Sequence, residues 1–183
     1  TNIQFTSNSP VDQLFNSAVC GGGATATLNL SFNNTQSART LSLRDTRRSN
    51  PLWTLTGTRT SGNNNIAAGS ATYTVTPAAA ARVHVVTPGR TFTEGTGVTG
   101  LPSNIVVGVD APITLVATDA FNNIRVGDAA FDGTETVTFT QAPVTPTPGF
   151  CAAAGCVTPT NPVNVTFVQG VASGTPFVRY AAA

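Results

Sequence analysis

The chain of 183 residues has room for one large domain or two small ones, at about 100–200 residues per domain. Hydrophobic residues make up 40% and charged ones 9%, with a net charge of +1 from nine arginines against eight acids and no lysine. That balance excludes an electrostatic nucleic-acid binder, whose phosphate contacts each need a cation, and the Val, Leu, Ile and Phe content excludes a disordered chain.

The surface is left to Thr, Ser, Asn and Gly. Such a coat carries little charge repulsion and suits a chain embedded in an assembly, glycosylated, or kept dilute outside the cell. No run approaches the roughly 18 apolar residues that span a bilayer, so no membrane span is expected. The first residues, TNIQFTSNSP, are neither a signal peptide nor a Met start, so the N-terminus is expected to arise by cleavage or to lie within something longer.

Alternation of apolar and polar residues dominates the chain. In the run from Ala24 to Phe32 it predicts a strand with Ala24, Ala26, Leu28, Leu30 and Phe32 on one face. The same period returns at Leu41/Leu43 and at Ala71/Tyr73/Val75. At Thr76-Pro77-Ala78-Ala79-Ala80-Ala81 a strand meets a proline and a new alternating run, RVHVVT, begins, which divides the chain into modules 1–78 and 82–183. Further strands are predicted at Ile113/Leu115/Ala117, Val137/Phe139 and Val163/Val165/Phe167. Thr lies between most of these pairs, its β-branch fitting the pleat and its hydroxyl facing water. The stretch 141–162 is too proline-rich for a central strand and reads as a surface excursion. No segment keeps the 3.6-residue period over three turns, so the fold is expected to be all-β, made of antiparallel sandwiches.

Three segments carry a resemblance: Asp119-Ala120-Phe121-Asn122-Asn123 after a strand, Phe131-Asp132-Gly133 before a Thr-rich strand, and Phe167-Val168-Gln169-Gly170-Val171-Ala172 followed by Tyr180. In this order they resemble the bacterial Ig-like (Big/invasin-type) repeats of secreted and cell-surface proteins. Asn122 stands where such repeats usually have Gly, a substitution that Asn tolerates in the left-handed region. The resemblance covers about the second half of the chain, with SATYTVTPAAA similar to a repeat's closing strand, and implies tandem Ig-like sandwiches. Such a repeat normally has two more strands after Tyr180, so the second module is expected to be incomplete. Either the remainder was lost or left out, or a neighbouring chain supplies a strand by β-augmentation, a head-to-tail contact that builds a filament if it does not close.

Catalytic chemistry finds little to work with, and no catalytic residue is assigned. The only histidine, His84, lies within an alternating strand, and the acids Glu94, Asp110, Asp119, Asp128, Asp132 and Glu135 sit at turns or strand edges. The glycines at 21–23 lack the Lys-Ser/Thr of a phosphate loop.

Cys151 and Cys156 lie close enough to close a short disulfide loop, which favours an oxidising compartment and leaves Cys20 free, bonded between chains, or paired with one of the other two. Zinc is the weaker reading of these cysteines, since about four ligands are needed. Calcium is the one cofactor with candidate ligands, Asp119, Asn122, Asn123 and Asp128, although turn-shaping hydrogen bonds are the favoured account of these residues. Trp53 is a candidate sugar platform that shares a face with Leu55, as core packing also requires, and Arg44, Arg47 and Arg48 form a basic turn. Sequons at Asn29, Asn33 and Asn164 permit N-glycosylation.

The expectation from sequence is thus a non-enzymatic extracellular or cell-surface structural protein, a filament or layer subunit or an adhesin stalk, whose partners are copies of itself. The alternative is a carbohydrate- or calcium-binding accessory module of a larger secreted enzyme.

Overall fold

Where Thr-rich alternation leaves one face apolar, the chain has only to pair that strand and cover the face, and this is how both halves are built. The computed structural model describes residues 1–21, 23–33, 35, 38–62, 65–127, 130–140, 148–153, 158–174 and 176–180. It is all-β, with antiparallel sheets and no α-helix among the described residues. Two compact units divide it, Thr1–Thr76 and Pro77–Ala183.

Unit 1 contains β1 (Asn2–Ser7), β2 (Gln13–Phe15), β3 (Thr27–Ser31), β4 (Ser42–Arg44), β5 (Trp53–Ser61) and β6 (Gly69–Tyr73). Four of them form a sheet in the order β3-β1-β5-β6, while β2 and β4 make a separate two-stranded ribbon. Register assigns the faces of the large sheet. Ile3 and Phe5 pair with Leu30 and Leu28 on one side, Phe5 pairs with Gly57 on the other, and Leu55 pairs with Ala71. The other face carries Gln4, Asn29 and Thr58, and Gln4 Nε2 donates to Asn29 Oδ1 at 3.4 Å. Leu14 of the ribbon lies in the core with Leu28 and Leu30, and Phe5, Leu43 and Leu55 pack around them.

The strand predicted from Ala24 begins only at Thr27, where pairing with β1 begins, and Ala24 and Ala26 are exposed. Thr25 instead makes an isolated bridge to Leu14. Two small side chains add too little buried area to hold the start of that run against the sheet.

Unit 2 contains β7 (Arg82–Val86), β8 (Thr91–Thr93), β9 (Gly97–Thr99), β10 (Ala111–Pro112), β11 (Thr114–Thr118), β12 (Gly133–Val137), β13 (Pro148–Cys151), β14 (Val163–Val168), β15 (Val171–Ala172) and β16 (Phe177–Tyr180). One sheet runs β12-β14-β15-β11-β7 and a second β10-β16-β13, with β8 and β9 as a hairpin. The two larger sheets enclose a core of Ile113, Leu115, Ala117, Phe150, Val163, Val165, Phe167 and Val178, a sandwich-like arrangement. Phe131 meets Phe167 edge-on, with centroids 5.1 Å apart. A two-residue turn joins β14 to β15 through Gln169 (φ 51°) and Gly170 (φ 75°), both left-handed as a type I′ hairpin requires. A Cβ on Gly170 would also approach Arg125 O at 2.8 Å, so the position excludes a side chain twice over.

The end of the first sequence-defined module, Pro77 and Ala78, and the residues 79–81 after it belong to unit 2. Pro77 is buried, Ala78 N donates to Asp119 Oδ2 at 3.0 Å, and Ala81 N donates to Thr118 O at 2.8 Å.

Candidate functional site

The five-stranded sheet of unit 2 is joined through its middle by β15, a strand of two residues. It meets β14 at Phe167↔Ala172 and Val168↔Val171, and β11 at Val116↔Val171 alone. Before Thr166 no strand among the described residues lies between β14 and β11. An apolar groove of about 270 Å³ lies at the end of the sandwich where β11 starts and β12 ends, lined by Val85, Ile105, Ile113, Phe139, Phe150 and Tyr180 among others. Phe139 stacks on Phe150 with centroids 3.9 Å apart. Val83 and Val85 pair with the buried Ala117 and Leu115 and so share their core-side face, yet remain 43% and 39% exposed. β7 therefore carries a core pattern over which no core has formed among the described residues.

Unit 1 has a counterpart. The ribbon covers one part of the sheet's apolar face, and the remainder is an open groove of about 390 Å³ bounded by Ile3, Phe5, Leu55, Gly57, Ile66 and Ala71. Gly57 opposite Gly69 leaves no side chain to fill it. Neither groove is lined by an ionisable group apart from the Tyr180 phenol, so what each offers is apolar area and, at its rim, backbone.

No family model, curated protein or solved structure matches this chain.

The predicted calcium ligands have other partners. Asp119, 1% exposed, accepts from Phe121 N (2.8 Å) and Asn123 N (2.9 Å) at Oδ1, and from Ala78 N (3.0 Å) and Asn123 Nδ2 (2.9 Å) at Oδ2. Burial pushes its carboxyl upward, but these bonds outweigh burial and hold it below the ordinary aspartate range. Asn122, at φ 63°, turns its side-chain oxygen toward His84 Nε2 (3.0 Å) and Arg82 Nη1 (3.4 Å), two donors within the fold. Asp128 lies outside the described residues, among which no cluster of three or more His, Cys, Asp or Glu could hold a metal.

Glu94, Asp132 and Asp110 are occupied in similar ways. Glu94 accepts from Ile124 N at 2.8 Å, Asp132 accepts from Gln169 N at 2.5 Å, and Asp110 receives both Nε (2.5 Å) and Nη2 (2.9 Å) of Arg179. Hydrogen bonding from Arg179 holds the Asp110 carboxyl below its ordinary range. The His84 ring meets the Phe92 ring at a tilt of 48°, with centroids 5.3 Å apart.

Trp53 is half-buried on the apolar face opposite Tyr73, and its indole N–H donates to Arg47 O at 3.2 Å. Arg44 stands over the Phe15 ring at 5.6 Å. Cys20 is a free cysteine, Cys151 is buried at the end of β13, and Cys156 lies outside the described residues.

All three sequon asparagines are exposed, but their backbones differ. Asn29 and Asn164 lie within β3 and β14, their amide oxygens bonded to Gln4 and Thr136 across the ladder. Asn33 sits in a turn, accepting from Thr35 N at 3.1 Å and Thr35 Oγ1 at 2.9 Å.

Sequence reasoning expected an open, apolar edge in the second module without locating its groove and passed over the groove of unit 1, because it marked apolar positions without showing which of them a second layer would cover. It also passed over Asp12, Asp45 and Tyr73, which only the ribbon's register brings together.

Proposed function

We propose that this chain is an extracellular structural subunit, built of Ig-like sandwiches, that assembles by accepting an extended strand from a neighbouring copy. The observation that carries this reading is the apolar groove at the end of the sandwich where β11 starts and β12 ends, in a sheet whose β14 and β11 are joined only through the two-residue β15, since an interrupted sheet with an apolar groove at its open end suits an added strand. The chain's own composition suits the donor, because uncharged Thr-alternating strands enter an uncharged groove without desolvating an ion. A Thr/Asn surface poor in charge is consistent with life in such an assembly. A bridge between Cys151 and Cys156 belongs to the same reading, as does an oxidising compartment. The accessory-module reading has no observation of comparable weight, since the Trp53 indole and the Asp119 carboxylate are both engaged within the fold.

Light scattering and negative-stain microscopy test the proposal. Native material is expected as elongated assemblies that fall to a chain of 18.7 kDa only on unfolding. Val85→Glu places a charge in the groove at an exposed position, so it should leave the monomer folded and abolish the assemblies. A compact wild-type monomer across the concentration range would refute the reading.

Glycan placement is a second expected result. An extended strand holds a sequon in a paired ladder, whereas a turn presents its asparagine to a transferase. Peptide mapping of native material should find sugar on Asn33 and bare asparagine at Asn29 and Asn164.

A further inference from the structure

The β2–β4 ribbon pairs Gln13 with Arg44, Leu14 with Leu43 and Phe15 with Ser42. One step further along this antiparallel ladder places Asp12 opposite Asp45, two like charges on facing strand ends, an arrangement that weakens a ribbon. The large sheet grips the same end. Tyr73 of β6 donates its hydroxyl to Asp45 Oδ2 at 3.2 Å and shares a 2.8 Å hydrogen bond with Ser7 Oγ of β1, while Arg47 N donates to Asp45 Oδ1 at 2.9 Å. Asp12 is supported only by its own backbone N–H, and its Oδ2 is buried without any hydrogen-bond partner. An orphaned buried oxygen beside a carboxylate is satisfied at once if it carries a proton.

We propose that Asp12 and Asp45 form a proton-sensitive clasp that fastens the ribbon over the apolar face of the unit 1 sheet, tightening as pH falls and loosening toward neutrality. The groups facing Asp12 are the Asp45 carboxylate and the Tyr73 phenol, with no arginine among the charges that act on it. Burial, and after it the Asp45 charge, holds the Asp12 carboxyl above the ordinary aspartate range. Burial and the same two carboxylates hold the Tyr73 phenol high, the Ser7 bond opposing them in part, so the phenol remains a donor to Asp45. A carboxyl raised in the folded state adds stability that is fully present below its unfolded value of about 3.9 and is lost as pH rises through its folded value. Loosening would lift Leu14 from Leu28 and Leu30 and widen the groove beside them.

Unit 1 isolates the effect. Asp12 and Asp45 are its only side-chain carboxyls and it holds no histidine, so between about pH 3.5 and 6.5 its stability answers to this pair. Trp53, the only tryptophan in the chain, lies in unit 1 and reports its unfolding alone. Urea unfolding of the full chain, followed by Trp53 emission, is expected to show a higher midpoint at about pH 4 than at about pH 6.5. In Asp12→Asn the two midpoints should coincide, and the neutral-pH value should equal or exceed that of wild type. A wild-type midpoint that is level or lower in acid overturns the clasp, as does an Asp12→Asn protein that keeps the full shift. The wild-type titration decides the matter even if the variant fails to fold.

Discussion

Replacing Asp119 with alanine should cost unit 2 about 4 kcal/mol, among the largest single effects a side chain can have. The carboxylate is almost wholly buried and receives four N–H groups, three from the backbone. Removing it strands these donors away from water, at about 1–3 kcal/mol for each left unsatisfied, partly offset where water enters the space. Asp119→Asn should cost less, about 2–3 kcal/mol, because one oxygen still serves Phe121 N and Asn123 N while the new amide opposes two donors. The same carboxylate holds Ala78 at the entry to unit 2, and Arg125 Nη1 donates to the carbonyls of Pro77 and Ala78 beside it. A folded-state carboxyl held below its unfolded value contributes stability above about pH 3.9 that is lost as pH falls through the folded value. Acid should therefore weaken unit 2 while it strengthens unit 1. Far-UV circular dichroism reads both units and Trp53 emission only the first, so in Asp119→Ala the dichroism transition should move to lower urea while the emission transition stays in place.

What the sequence made legible follows from which faces water touches. β14 shows the full alternation, Val163, Val165 and Phe167 buried and Asn164, Thr166 and Val168 exposed, because only one of its faces meets the core. β11 obeys the rule at Leu115 and Ala117, yet Val116 and Thr118 are buried as well, and no pattern of hydrophobicity distinguishes a threonine that faces water from one enclosed in protein. The turn after β11 was readable from its Asp and Asn residues. The reach of Asp119 back to Ala78 was not, since it joins positions 41 residues apart. β2 has three residues and the β8–β9 hairpin three on each side, too short for any period to declare itself. The clasp was hidden for a related reason, because Asp12 and Asp45 become neighbours only once a three-rung ladder fixes their register. Grooves are the least legible feature, as they are defined by the layer that is missing above an apolar face.

Leu14→Ala should unfold unit 1 while unit 2 stays folded. Leu14 is wholly buried and forms, with Leu28 and Leu30, the buried cluster that binds ribbon to sheet among the described residues. A Leu-to-Ala change in a core costs about 2–5 kcal/mol, and a unit below about 80 residues rarely has more than about 3–5 kcal/mol from its core. The loss thus equals the reserve. Trp53 emission should shift to the red without denaturant, whereas Leu14→Met, which conserves volume, should cost less than about 1.5 kcal/mol and keep the native spectrum. The variant also tells the two grooves apart. If the acceptor is the groove where β11 starts and β12 ends, chains with unit 1 unfolded still expose it intact on unit 2 and still bind a wild-type neighbour. If binding vanishes with the Trp53 signal, the acceptor is instead the open face bounded by Ile3, Phe5 and Leu55, and the clasp at Asp12 and Asp45 then stands beside the assembly site itself.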